Sequence, residues 1–332
     1  MIPSAWAALG GSPVRPAEDG GLINVTWYVG EPVRWVVQKL HPAFAARVHE
    51  DIEAVTAHLA GKGLVTPRLV RTDSGALCVD GADGVFRAMN FIPGRTFHRV
   101  ESPALAVAAG ALVARFHAAV DDLVWDYRHV RPAAHDTPLH MSRLEAALST
   151  PATTPEGESA RAVAEGILEA WRTFPLATLP ARHCHGDLKI SNLRFDATGN
   201  EGVCLLDLDT LSALPLDVEL GDAWRSWCNP KGEDDTDTRF DLEIFAAAVQ
   251  GYQSVRAFSA AEREALASAP ERIALELASR FCKDVWEDAY FGWNSARFPS
   301  RRAHNLFRAQ GQLNLARSAR AQRAAAARTL GA

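Results

Sequence analysis

A chain of 332 residues with 48% hydrophobic and 23% charged residues can bury a large core or two lobes, and this composition excludes a disordered or fibrous protein. A formal net charge of -5 argues against a general polyanion binder, so nucleic acid is not an expected partner. The first 21 residues lack a basic segment followed by an apolar core, no run reads as a bilayer span, and five scattered cysteines form no CxxC pair. The expectation is a soluble cytoplasmic protein with reduced thiols, no membrane association and no obligate protein partner.

Gly20 and Gly21 form a turn into a β-prone run that ends at Gly30, and residues 33–40 form a second such run. Paired, these strands would roof a nucleotide. The two glycines permit close backbone approach to phosphates, although adjacent glycines also mark ordinary turns. Lys39, one of only five lysines, stands near a strand end where it suits phosphate charge. Side chains alternate along a strand, so Gln38 and Lys39 face opposite sides and only one enters the cleft; the sequence leaves open which. Residues 45–60 read as a helix whose stripe of Val48, Ile52, Val55 and Leu59 would pack against the sheet. From that helix Glu50, in preference to Glu53, is expected to approach Lys39, the alternative being a solvated face. Strands near residues 69–70, 76–79 and 85–89 complete the sheet. Asn90-Phe91-Ile92-Pro93-Gly94 then reads as a hinge, where backbone groups of Met89 to Phe91 would meet an adenine edge.

From Pro103 the pattern turns helical, with Leu105, Ala109, Leu112 and Phe116 on one face and further helices at residues 142–148 and 158–171. His135-Asp136-Thr137-Pro138 is a polar turn before a helix, either lining a substrate pocket or capping the helix.

The stretch His183-Cys184-His185-Gly186-Asp187-Leu188-Lys189-Ile190-Ser191-Asn192 carries the chemistry. Asp187 precedes Asn192 by the interval that separates the catalytic Asp from the metal-binding Asn of kinase loops. Leu193-Arg194-Phe195 and Val203-Cys204-Leu205-Leu206 read as a hairpin, joined through Asp196-Ala197-Thr198-Gly199-Asn200, with Asn192 and Asp207 at its open end. An amide oxygen and a carboxylate suit Mg2+ beside ATP phosphates. Asp187 is expected to orient an acceptor hydroxyl and take its proton, and Lys189 to neutralise charge on the transferring group. No second His or Cys cluster supports zinc, so the histidines before Gly186 are expected to fix the loop backbone.

Later helices are expected at residues 241–255 and 271–290, and residues 321–328 read as a solvated helix end. Arg280, Asp284, Glu287 and Asp288 share one charged side, which would line a pocket or form a salt-bridged face.

These residues resemble the aminoglycoside phosphotransferase-like kinase superfamily, in which His-Gly-Asp replaces the His-Arg-Asp of protein kinases. Within it, the chain looks most like the N-acetylhexosamine 1-kinase group, through Gly21-Leu22-Ile23-Asn24, Met89-Asn90-Phe91-Ile92, His135-Asp136-Thr137-Pro138, Leu206-Asp207-Leu208-Asp209-Thr210 and Gly221-Asp222-Ala223-Trp224-Arg225. Arg280-Phe281, Asp288-Ala289-Tyr290-Phe291 and His304-Asn305-Leu306 extend the similarity. Val25 departs from the Asp that this group often carries after Asn24. The resemblance implies an α+β, bilobal protein-kinase-like fold, with a small N-terminal β-sheet lobe carrying one helix (residues 1–89), a hinge (90–94) and a larger, mainly helical C-terminal lobe (95–332). It further implies ATP and Mg2+ as cofactors, with Gly21, Asn24, Gln38, Lys39, Glu50, Met89 and Phe91 on the nucleotide side. Asp187 would be the base, Asn192 and Asp207 the metal ligands, Asp209 a supporting carboxylate, and His135, Asp136, Asp222, Arg225, Arg280 and Tyr290 the acceptor side. The implied acceptor is an amino sugar phosphorylated at its anomeric hydroxyl. Alternatives are an aminoglycoside, for which Asp217, Glu219 and Asp222 would supply an acidic pocket, choline, homoserine, or a nucleotide-binding pseudokinase acting as an interaction module.

Overall fold

The computed structural model describes residues 2–17, 24–42 and 44–332. Five antiparallel strands form the N-terminal sheet: β1 (Val14–Pro16), β2 (Val25–Val29), β3 (Trp35–Lys39), β4 (Val79–Gly81) and β5 (Gly84–Asn90), in the order β1-β2-β3-β5-β4. The β-branched and aromatic residues of β2, β3 and β5 suit a pleated surface buried on both faces. One face carries Val29, Val37, Phe86 and Ala88, covered by Trp6 and Leu9 of the N-terminal segment. The register sets Thr26, Gln38 and Arg87 side by side on the other face.

Helix α1 (Val48–Gly61) follows β3. Its stripe of Val48, Ile52, Val55 and Leu59 does not pack into the sheet's Trp6 cluster; it joins the large core shared with the C-terminal helices. The helix therefore bridges the two regions. Only an isolated bridge pairs Leu69 with Met89 where a strand was expected at residues 69–70.

The chain leaves the sheet through Pro93 and Gly94. Gly94 has φ 137°, and a Cβ there would lie 2.1 Å from the Phe195 carbonyl oxygen, so only glycine lets the hinge pass this close. Arg95 and Phe195 exchange two backbone hydrogen bonds of 2.8 Å, which clip the hinge to the catalytic hairpin.

The C-terminal region comprises α2 (Pro103–Val120), α3 (Thr137–Leu148), α4 (Pro155–Arg172), β6 (Ala181–Cys184), β7 (Leu193–Phe195), β8 (Gly202–Leu205), β9 (Ser212–Pro215), α5 (Leu216–Trp227), α6 (Leu242–Gln253), α7 (Ala260–Leu266), α8 (Ala269–Glu287), α9 (Arg301–Ala321) and α10 (Arg323–Leu330). Helix α2 is, by length and composition, apolar enough to cross a membrane, contrary to the sequence reading, yet most of it is buried in the protein core. It crosses α6 at two glycines. A Cβ on Gly110 would lie 2.1 Å from the Ala248 carbonyl oxygen, and one on Gly251 2.0 Å from that of Val107. Helix α10 is not a solvated end, because Ala326 and Leu330 are buried.

Gly251→Ala should therefore lower stability by about 1–3 kcal/mol, the usual cost of overpacking a close helix crossing. Urea unfolding measures this, and a midpoint unchanged from that of the parent chain would contradict the crossing.

Candidate active site

The loop after β6 is anchored from below. The Glu219 carboxylate on α5 accepts from the amides of His185 (2.7 Å) and Gly186 (2.9 Å), and the Trp227 indole donates to the Leu188 carbonyl at 2.7 Å. Thr210 donates to the His185 carbonyl at 2.8 Å. Gly186 has φ 81°, and a Cβ there would come within 2.4 Å of the Thr210 carbonyl oxygen, so glycine is required before Asp187. His185 donates from Nε2 to the Leu206 carbonyl at 2.7 Å and accepts the Asp187 amide at Nδ1, which fixes one neutral tautomer and the shape of the loop.

His117, Cys184 and Glu219 bring their ligand-type atoms within 4.8 Å of one another. Each is already engaged: His117 with Tyr252 and Glu219, Cys184 with the Leu214 carbonyl, and Glu219 with the loop amides. The cluster is a buried buttress for the loop.

Asp187, Lys189, Asn192 and Asp207 come together. Asp187 Oδ2 receives Lys189 Nζ at 2.8 Å and Asn192 Nδ2 at 3.0 Å, and Lys189 Nζ lies 4.0 Å from Asp207 Oδ2. Burial would raise the Asp187 pKa, but Lys189 and Asn192 hold it below the ordinary carboxylate range, so the side chain is ionised at neutral pH. Burial and the neighbouring Asp209 push Asp207 the other way. Asp207 adopts a left-handed conformation, φ 57° and ψ 58°, which turns the chain at the end of β8. Asn192 spends its amide nitrogen on Asp187, which leaves its side-chain carbonyl oxygen as a candidate ligand. An amide oxygen and the Asp207 carboxylate are hard donors of the kind that fit Mg2+.

On the roof, strand alternation settles the choice between Gln38 and Lys39. Gln38 faces the cleft; Lys39 lies on the opposite face, with its ammonium 5.7 Å from the Phe86 ring centroid. The expected phosphate-facing role of Lys39 is thereby corrected, because a five-stranded sheet cannot turn two successive side chains to one side. The cation on the cleft face is Arg87 of β5. Its guanidinium grips Asp209 with both terminal nitrogens (Nη2 to Oδ2 2.9 Å), while Gln38 Oε1 accepts from Nε at 2.9 Å and from Nη2 at 2.7 Å. Asn24 donates to Asp209 Oδ2 at 2.9 Å and accepts the His41 amide. Arg87 and Asp209 are each about 1% exposed.

Glu50 is exposed and far from the role expected of it; Glu53 pairs with Arg68 and Arg71. The α1 residue that senses the cleft is His49, whose pKa falls to about 4 through burial and the charge of Arg87. Its Nδ1 donates to the Ala46 carbonyl, and its buried Nε2 has no hydrogen-bond partner among the described residues. The Phe91 amide is not available to an adenine, since it donates to the Arg34 carbonyl at 2.9 Å, whereas Met89 is a half-buried residue of β5 beside Val36. Gly21, and with it the turn at Gly20, lies outside the described residues.

Next to the loop opens a cavity of about 410 Å³, floored by Gly186 and residues 209–212 and walled by the segment before α3 and the last turns of α8. His135, Arg280 and Tyr290 line it, as expected of them. His135 Nδ1 lies 3.2 Å from Glu276 Oε1, and Thr137 donates to the other Glu276 oxygen at 2.6 Å. Asp136 is instead the N-cap of α3, accepting the Leu139 amide at its exposed side chain. Asp222 and Arg225 do not line the cavity but pair with each other at 3.0 Å, Arg225 also reaching Glu233 at 2.8 Å. Asp217 is paired with Arg272 at 2.6 Å. None of the three acids expected to attract an amine is therefore free to do so. Arg87 escaped the sequence reading although Phe86 and Ala88 flank it as inward apolar residues; period two put it on the cleft face, but its partner lies 122 residues away.

A twisted antiparallel sheet clamped over a helical region, with Gly-Asp, Asn and Asp converging between them, defines the protein-kinase-like fold. The sequence profile of the Phosphotransferase enzyme family matches residues 14–258, and the chain belongs to that family. It is 29% identical over 216 residues to a homoserine kinase of Acidiphilium cryptum (strain JF-5), covering 63% of this chain and 61% of that relative's length. Among solved structures it resembles a microcompartment-associated aminopropanol kinase, with TM-score 0.63, 18% identity and coverage of 96% of this chain and 95% of the other. An amicoumacin kinase in complex with AMP-PNP, Ca2+ and Ami superposes with TM-score 0.58 at 14% identity, covering 88% of this chain and 87% of the other. At these identities the structural likeness establishes the fold.

Two measurements check this geometry. Arg87→Met leaves Asp209 charged and buried, so stability should fall by about 3–5 kcal/mol, with part recovered in Arg87→Met/Asp209→Leu; equal loss in both variants would deny the pair. For His135, burial lowers the pKa but Glu276 outweighs it, raising it from 6.5 to about 9. Burial pushes Glu276 up, but His135 and Thr137 bring it from 4.5 down to about 2. A raised histidine stabilises fully below its unfolded value and loses that contribution as pH rises towards the folded value. A depressed glutamate stabilises above its unfolded value and loses that contribution as pH falls. The stability gap between the parent chain and His135→Gln should thus be greatest between pH 4.5 and 6.5 and shrink towards pH 9; a gap constant up to pH 10 would show that the pair is not charged.

Proposed function

We propose that this chain is an ATP- and Mg2+-dependent kinase of a small hydroxylated acceptor, with residues 1–89 as nucleotide lobe, 90–94 as hinge and 95–332 as catalytic and acceptor lobe. The observation that carries the reading is the convergence of an ionised Asp187 with Asn192 and Asp207 beside a sugar-sized cavity. Asp187 Oδ2 is taken by Lys189 and Asn192, so Oδ1 is the atom that orients the acceptor hydroxyl and receives its proton. As the acceptor oxygen bonds to the γ-phosphorus, the bond to the β–γ bridging oxygen breaks and ADP leaves with that electron pair. Asn192 and Asp207 hold the magnesium, which neutralises phosphate charge. Lys189 stands between the two carboxylates, poised over the transferring group.

The acceptor favoured by the sequence motifs is an N-acetylhexosamine or related sugar, phosphorylated at the anomeric hydroxyl. A hydroxy amino acid is the second reading, supported by the similarity to the homoserine kinase. The use of ATP and five cysteines without a disulfide support a cytoplasmic reaction.

Magnesium-dependent ADP release, assayed over amino sugars, other hexoses, homoserine, choline and aminoglycosides, tests the reading. Asp187→Asn should lower kcat by a factor of about 10³ or more with an unchanged melting temperature, and chelation of the metal should abolish turnover. Full activity in Asp187→Asn would remove the assigned base.

A further inference from the structure

The charge of the cavity is uneven. Four cations line it, Arg131, Arg143, Arg280 and Lys283, against three carboxylates, Asp209, Asp284 and Glu287. The carboxylates are committed elsewhere. Asp209 is gripped by Arg87 and Asn24. Asp284 is buried and accepts the amides of Ala289, Tyr290 and Phe291 together with Asn305 Nδ2, the last at 2.8 Å. Glu287 is paired with Lys283 one helical turn away.

The arginines are not similarly satisfied. Arg131 only donates to the Tyr290 hydroxyl. Arg280 lies 5.6 Å from the Phe291 ring centroid and, like Arg143, makes no hydrogen bond or ion pair with any described residue. Both also bear on His140, another lining residue. Two guanidinium groups that form no ion pair among the described residues, on α3 and α8, thus line one recess whose floor adjoins the Gly186 loop, with the Glu276 carboxylate acting on Arg280 from within the protein. Guanidinium forks match the planar, bidentate geometry of carboxylate and phosphoryl oxygens, and a site of this sign repels a polyamine. The choline-like and aminoglycoside-like acceptors are the ones such a wall disfavours.

Resting on the kinase reading above, we propose that the acceptor carries an anionic group, a carboxylate or a phosphoryl group, seated against Arg143 and Arg280 while its hydroxyl reaches Asp187. The two arginines then act as specificity determinants: they hold the charged end, and the 410 Å³ cavity leaves room for a sugar-sized or amino-acid-sized body between them and the loop. His135, with Nδ1 3.2 Å from Glu276 Oε1, stands on the same wall.

Calorimetric titration of the full chain, with Mg2+ and a non-hydrolysable ATP analogue present, tests this with matched probes: glucose against glucuronate, glucose against glucose 6-phosphate, N-acetylglucosamine against its 6-phosphate, and homoserine against its amide. The charged member of at least one pair should bind about tenfold tighter or more, as expected for a charge-assisted contact. Preference confined to the carboxylate pairs or to the phosphate pairs identifies the group. Arg280→Gln and the surface variant Arg143→Gln should each cut that preference, and together erase it, with affinity for the ATP analogue unchanged. No preference in any pair, or a preference that survives in the double variant, overturns the proposal. Absence of magnesium-dependent ADP release with every acceptor would sink the kinase reading and leave the anion preference standing, so the two failures are distinguishable.

Discussion

The structure depends on one buried ion pair. Arg87 comes from the sheet and Asp209 from the segment after the hairpin, and their bidentate contact joins the two regions through charge in the buried interior, whereas the Lys62–Asp122 pair is exposed. Two charges removed from water are costly to leave unmatched, so the pair tolerates only a geometry in which every remaining donor and acceptor is satisfied. Gln38 and Asn24 supply that geometry, and His49 is held neutral first by burial and then by the charge of Arg87. The kinase-type cleft of this chain is therefore organised by an arginine from strand β5, beside the glutamine of the central strand β3.

The catalytic loop shows the same logic on a smaller scale. The chemistry proposed for it rests on Asp187, Asn192 and Asp207, but its shape rests on Glu219, His185, Trp227 and a glycine for which no other residue leaves room. A buried carboxylate that binds two successive amides pins a loop more firmly than neutral contacts would. The loop's shape is thus set by contacts within the protein, which suits a reaction in which positioning and electrostatics supply most of the rate. The acceptor side is built differently. There the acids are tied into networks, while Arg143 and Arg280 line the cavity without an ion pair among the described residues, which is the basis of the proposed charge selection.

Much of this was legible in the chain. The interval from Asp187 to Asn192 and the hairpin leading to Asp207 are local, and local spacing fixes what a short loop brings together. The strands of the sheet and the long helices followed from period two and period 3.6. Helix α5, rich in Asp, Glu and Trp, was seen only as a motif, because its polar residues face buried partners and break the apolar stripe. Glu50, Asp136, Asp222 and Arg225 were misplaced for one reason. A charged residue in sequence carries no record of whether it meets solvent, a helix end or another charge.

By itself the sequence determined the spacing that gathers Asp187, Asn192 and Asp207, and the two-part α+β architecture. Each is a matter of spacing or periodicity within a few residues. The tertiary structure decided which cation guards the cleft, which acids are silenced and what sign the acceptor cavity presents. These are sums over groups distant in the chain, such as Arg87 with Asp209 or Asp217 with Arg272, and Coulomb energies depend on separation and burial that only the folded chain defines.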